Sequence, residues 1–277
     1  MLFQWNTSIL TIIFRVPKYF ASVIFLYVIV LYLHKLLRNK KLVRYKAEAA
    51  SFYKKLSYFI VEGKMNMVTL NELKSKQYDM IYSLGYNCFP GIYMKKYALR
   101  KQAGVIDWCI SISLSYVNQL LKHRCKDLFV YEHLTYVSSF GDGSTLRLRD
   151  KVYQIDSAHD FPSSINTETN WLSYNEVKEK YERRTERFLT SMETSSCILF
   201  IRMGGTYEEA KELENILKGM VKNDFYILLL TNSEKELLSE ANWDLPCTCV
   251  LHAPIFSMDV LRDDTVWEEL LSGLVIK

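Results

Sequence analysis

No CxxC pair occurs among the six cysteines of this 277-residue chain, and no histidine stands at a spacing that completes a zinc site. Cys88, Cys109, Cys125, Cys197, Cys247 and Cys249 are scattered, which reads as free thiols in a reducing compartment. No metal and no cofactor is called for. A P-loop is missing as well: Gly204-Gly205 lacks the lysine and the spacing that cradle a nucleotide phosphate. Internal repeats and low-complexity stretches are absent. Beyond residue 50 there is no basic excess either. Residues 1–50 hold eight basic side chains against Glu48 alone, while the whole chain is only +4, so the remainder is mildly acidic. A nucleic-acid partner would need a basic face on the domain and is not expected.

One stretch lacks charge altogether. From Tyr19 to His34 there is no Asp, Glu, Lys or Arg. Sixteen residues at about 1.5 Å each span roughly 24 Å of helix, and the flanking Lys18 and Lys35 can snorkel to reach across a ~30 Å hydrocarbon layer. Tyr19, Tyr32 and Trp5 suit an interface. The next residues, LHKLLRNKKLVRYK, carry no small-residue cleavage site, which disfavours a signal peptide. Tyr19 to about Leu33 is therefore expected to be a single-pass anchor in the cell membrane. Six Lys/Arg follow it and two precede it, which places the C-terminal domain in the cytoplasm. The lipid bilayer is thus an expected partner, with an interfacial helix as the other option.

Three parts are expected: an anchor with its basic segment over 1–46, a helical connector over 47–77, and one α/β domain over 78–277. Hydrophobic residues at 49% and charged residues at 24% suit a packed domain, and the many tyrosines and phenylalanines favour strands. YDMIYSL (78–84) reads as a buried strand, with a helix from Ile92 onward. A Ser-capped helix is expected over 113–129, a hairpin turning on Gly-Asp-Gly within 138–151, a short strand at Tyr153–Ile155, and a helix over 173–193. SCILFIRM (196–203), a helix over Tyr207–Val221 and FYILLLT (225–231) form a βαβ unit, so the sheet is at least partly parallel. The fold class is α/β: a partly parallel sheet flanked by helices, a Rossmann-like three-layer arrangement preceded by one N-terminal transmembrane helix.

Four places could carry chemistry. Cys88 sits in a strand-to-helix turn, where a helix N-terminus lowers a thiol's pKa; a small residue filling a turn is the plainer reading. His159-Asp160 supplies a possible base, although neighbours on a strand point to opposite faces. Asp107-Trp108 puts a carboxylate among apolar residues, where it either caps a turn or orients a base. Arg183, Arg184 and Arg187, with Arg202 before Gly204-Gly205, could hold phosphates or carboxylates, or be solvated.

YSLGYNCFPGIYMKKYALR, then IDW, HDF and YERRTERF, over about residues 78–232, resemble a bacterial domain-of-unknown-function family labelled putative papain-like cysteine peptidase. The resemblance implies Cys88 as nucleophile, His159 as base and Asp107 or Asp160 as orienter. Asn87, Trp108, Arg183, Arg184, Arg187 and Arg202 would then bind an unknown peptide or glycan substrate. Such chains often accompany surface-polysaccharide genes, which implies glycan chemistry. A glycan- or nucleotide-sugar-handling enzyme, or a membrane-associated module without catalysis, are the other readings.

Overall fold

A computed structural model of the chain describes residues 68–233, 238–241, 243–255 and 257–277. The expected anchor, the basic segment and connector residues 47–67 lie outside them. Among the described residues no helix is long and apolar enough to cross a membrane.

The described residues open with a short helix, α1 (Leu70–Lys74), begun by a capping box in which Thr69 and Glu72 take each other's backbone N–H. The expected strand over 78–84 is split into β1 (Gln77–Tyr78) and β2 (Met80–Ser83). Helix α2 (Phe89–Lys96) begins three residues before Ile92, because Pro90 is compatible with a first helical turn. It is followed by β3 (Cys109–Ile110) and α3 (Leu114–Lys122). The latter stops well short of Phe129: Arg124, Cys125, Asp127 and Phe129 all have positive φ, which no α-helix sustains.

The hairpin is present, with β4 (Leu134–Phe140) and β5 (Thr145–Asp150) joined through Gly141, Asp142 and Gly143, all at positive φ. The segment AHDFP departs from expectation. It does not follow a short strand but lies inside a long one, β6 (Ile155–Pro162), which pairs antiparallel with both β5 and β3. These four strands, in the order β3-β6-β5-β4, form an antiparallel sheet inserted into the fold.

The rest is the βαβ framework: α4 (Tyr174–Thr194), β7 (Cys197–Met203), α5 (Tyr207–Met220), β8 (Asp224–Asn232), β9 (Ser239–Glu240), β10 (Thr248–Ala253), α6 (Met258–Arg262), α7 (Asp264–Leu271) and β11 (Val275–Ile276). The main sheet runs β2-β7-β8-β10-β9, parallel except for β9 at its edge. Its central strands are apolar on both faces, as strands covered on two sides must be. Ile198, Phe200, Ile227, Leu229 and Val250 pack with α3, α4, α5 and the inserted sheet. Leu199, Ile201, Met203, Leu228, Leu230 and Leu251 pack with α1, α2, α6 and α7. The architecture is therefore mixed α/β, with parallel and antiparallel sheets flanked by helices.

Candidate functional site

At the carboxyl end of β2 the chain makes a tight turn, Leu84 to Cys88, before entering α2. Crevices at the carboxyl ends of parallel strands are where α/β sheets commonly bind ligands. Gly85 has φ +80°, and a Cβ there would stand 2.2 Å from Ser111 Oγ, so only glycine fits. Tyr86 has φ 101°, a conformation an L side chain tolerates poorly. It is held from both sides: its N–H donates to Ser111 Oγ at 2.9 Å, and its carbonyl accepts the Ser111 N–H at 3.0 Å. Asn87 Oδ1 takes the Phe89 N–H at 3.0 Å, so in this structure it caps the turn rather than facing a ligand.

Cys88 is half-buried, a free thiol at the N-cap of α2 with no side-chain hydrogen bond to that helix. Burial pushes the Cys88 pKa up, and its own backbone amide, which pulls it down, is the weaker influence. His159 lies on β6, exposed, its ring held edge-on between Trp108 (centroids 5.9 Å) and Phe140 (5.2 Å). Among the described residues no hydrogen bond or ring contact joins Cys88 to His159. One segment lies between them: Asp107 packs against Gly91, one turn along the helix that Cys88 caps, and the next residue, Trp108, touches His159.

Asp107 is completely buried. Its Oδ2 accepts from Arg100 Nε at 2.9 Å and from the Gly104 N–H at 2.8 Å. Burial nevertheless raises its pKa above the usual carboxylate range, against the pull of Arg100, the Gly104 amide and Arg184. Asp107 therefore does not touch His159; it pins the loop that carries Trp108. Arg100 adds to this by lying over the Trp108 ring, 5.3 Å from its centroid. Asp160 faces the other way from its neighbour, as strand alternation requires. It pairs with Lys180 and accepts from Tyr181 OH at 2.7 Å and from Ser157 Oγ at 2.5 Å. Burial alone would raise its pKa, but Lys180 and these donors hold it below the ordinary value.

The arginines part company. Arg183 is exposed and pairs with Glu179 on its own helix, and Arg187 is exposed as well. Arg184 turns inward over the Tyr181 ring, toward Asp107. Arg202 is fully buried. It donates to Gly204 O (3.1 Å), Leu84 O (2.9 Å), Ser111 Oγ (3.1 Å) and Ile112 O (2.9 Å). A guanidinium spent on these acceptors has no face left for a phosphate. Burial draws its pKa down to about 9, with Glu209 and Tyr86 opposing. Arg100 and Ser111 are the site residues that sequence reasoning missed: Arg100 closes the YSLGYNCFPGIYMKKYALR motif but is given no role, and Ser111 stands in no quoted motif.

A family model described as putative papain-like cysteine peptidase (DUF1796) matches residues 79–235, more than half of the chain. The chain belongs to this family. No curated protein and no solved structure matches it. The match to the putative papain-like cysteine peptidase family runs from the start of β2 to the end of β8 and so takes in the Cys88 turn, the inserted sheet and Arg202. Strands β9 and β10 and helices α6 and α7 lie beyond it. Papain-like enzymes place the histidine about 130 residues or more after the cysteine, a far longer interval than separates Cys88 from His159.

Proposed function

We propose that this member of the family is a thiol hydrolase or acyltransferase, with Cys88 as nucleophile and His159 as base. His159 takes the proton from Cys88 Sγ as the sulfur attacks an acyl or amide carbonyl. The C–S bond forms while the carbonyl π pair moves to oxygen. Collapse expels the amine or alcohol, which leaves with the proton from His159, and water or another acceptor then cleaves the thioester. The observation that carries this reading is the Gly85–Cys88 turn. A strained residue, held by its neighbours on both its N–H and its carbonyl, sits two positions before a half-buried thiol at the carboxyl end of a parallel strand. Strain of that kind costs about 1–3 kcal/mol and is concentrated at functional sites. Catalytic hydrogen bonds in a ligand-free enzyme are often long, so the lack of a direct Cys88–His159 bond does not by itself exclude His159 as base.

The uncharged segment at Tyr19 to about Leu33 would tether this chemistry to a membrane, which favours substrates made at the membrane face. Fractionation of the full chain tests the tether: recovery in the high-speed supernatant without detergent rules it out.

The catalytic assignment is tested with iodoacetamide. Cys109 and Cys125 are buried and react slowly whatever the mechanism, so the informative controls are the half-buried Cys197 and Cys247. Cys88 is expected to be alkylated at least tenfold faster than either, and His159→Ala to remove that advantage. Equal rates at the three thiols, or a Cys88 rate unchanged in His159→Ala, would sink the assignment.

A further inference from the structure

We infer that Ser111 and Arg202 form a clasp that positions Cys88 for reaction without touching substrate. The inference rests on the reading of Cys88 as nucleophile. Three chain segments meet at the clasp: the end of β2, the end of β3 and the end of β7. Arg202, at the end of β7, reaches the last of the β2 carbonyl run at Leu84 and the Ile112 carbonyl beyond β3. It also donates to Ser111 Oγ, which simultaneously receives the Tyr86 N–H. One hydroxyl thereby joins a fully buried cation to the most strained backbone in the Cys88 turn.

The surroundings are shaped to the same end. Ser111 is 1% exposed, and the missing Cβ of Gly85 is what admits its hydroxyl. A Cβ on Gly204 would stand 3.1 Å from the Tyr86 ring, so the glycine turn after β7 is what lets that ring lie down on it. Lysine could not replace Arg202, because a single ammonium cannot reach four acceptors spread around a planar fork. Among the described residues no carboxylate forms an ion pair with Arg202, and burying a cation that way is expensive. Ordinary packing would be served at lower cost by an apolar side chain, so the cost points to a job the guanidinium alone performs. That job is to hold Leu84, Ser111 and Ile112 in one arrangement, and through Ser111 to keep Tyr86, and with it Cys88, where the turn places them. Misplacement of a reacting group by about 1 Å can cost on the order of a hundredfold in rate.

The test compares the ratio of Cys88 to Cys197 alkylation by iodoacetamide in the full chain, with amide exchange at Tyr86 as a second readout. In Ser111→Ala the ratio is expected to fall at least fivefold with the Cys197 rate unchanged, and the Tyr86 amide to exchange at least tenfold faster. Ser111→Thr keeps the hydroxyl and is expected to stay within twofold of wild type in both. Arg202→Lys is expected to match Ser111→Ala, and if it does not fold the serine pair still decides. A wild-type ratio in folded Ser111→Ala, while His159→Ala lowers that ratio, overturns the clasp and leaves Cys88 as nucleophile. A drop matched by Ser111→Thr or by a change at Cys197 also overturns it. A wild-type ratio near one removes the nucleophile itself, and the positioning role falls with it whatever the exchange shows.

Discussion

The parallel sheet and the inserted antiparallel sheet solve the same problem in opposite ways. In the parallel sheet β7 and β8 are apolar along nearly their whole length, and helices cover both faces. Stability there comes from removing hydrocarbon from water. In the inserted sheet β5 alternates buried and half-buried residues, and its polar side carries Arg147 and Arg149. Both arginines close on Asp156 of β6, with Nε–carboxylate distances of 2.6 Å. The first sheet ends in the turn that carries Cys88. The second brings charge and the exposed histidine. The proposed site draws one residue from each, Cys88 from the first and His159 from the second.

The contrast breaks most visibly in the parallel sheet. Phe200 is fully buried, with Tyr82, Phe188 and Phe225 around its ring. Phe200→Ala is expected to cost about 3–5 kcal/mol, read as a lowered urea midpoint with an unchanged slope. Asp156→Ala strips the inserted sheet of its shared carboxylate. Removing one partner of a buried pair can cost about 3–5 kcal/mol, but Arg147 and Arg149 are partly exposed and can turn to water, so about 2 kcal/mol is expected from the same measurement. A larger loss for Asp156→Ala than for Phe200→Ala would reverse the comparison.

The smallest effect concerns pH. Asp160 has its pKa depressed in the folded protein by Lys180, Ser157 and Tyr181. A depressed carboxyl contributes stability that is fully present above its unfolded pKa, about 3.9, and is lost as pH falls through the folded value. The advantage of wild type over Asp160→Asn, measured by urea unfolding at pH 6, is therefore expected to shrink by pH 3. A gap that widens toward acid would show that the Lys180 pairing does not act in this direction.

The two sheets also differed in how readily the sequence disclosed them. Strands such as CILFIRM and FYILLLT are continuous apolar runs, and such runs between helical patterns leave little choice but parallel strands. TLRLRD and IDSAHDFP carry charges whose partners lie on other segments, Arg147 and Arg149 on Asp156 and Asp160 on Lys180, so the full length of β6 was not legible and only Tyr153–Ile155 reads as a strand element. Helix α4 was legible from its apolar stripe, whereas the stop of α3 was not, because four positive-φ residues end it without a glycine or proline among them. At the site, Cys88 and His159 stood out by residue type. Arg202 stood out too, yet as a ligand holder: nothing in the sequence marks the carbonyls that surround it. Ser111 was invisible for the same reason.

The insertion has a consequence for how the chain folds. β7, α5 and β8 follow one another directly, and their pairing closes only a short loop. β2 pairs with β7, Ser83 opposite Ile201, across the whole of the inserted sheet and α4. Loop-closure entropy and sequence separation make that contact slow relative to the local ones. Within the main sheet the pairing of β2 with β7 is thus expected to come late, and the Cys88 turn with it. A chain arrested before that step would lack the Cys88 turn. The thiol chemistry proposed for Cys88 would then be withheld until β2 has docked.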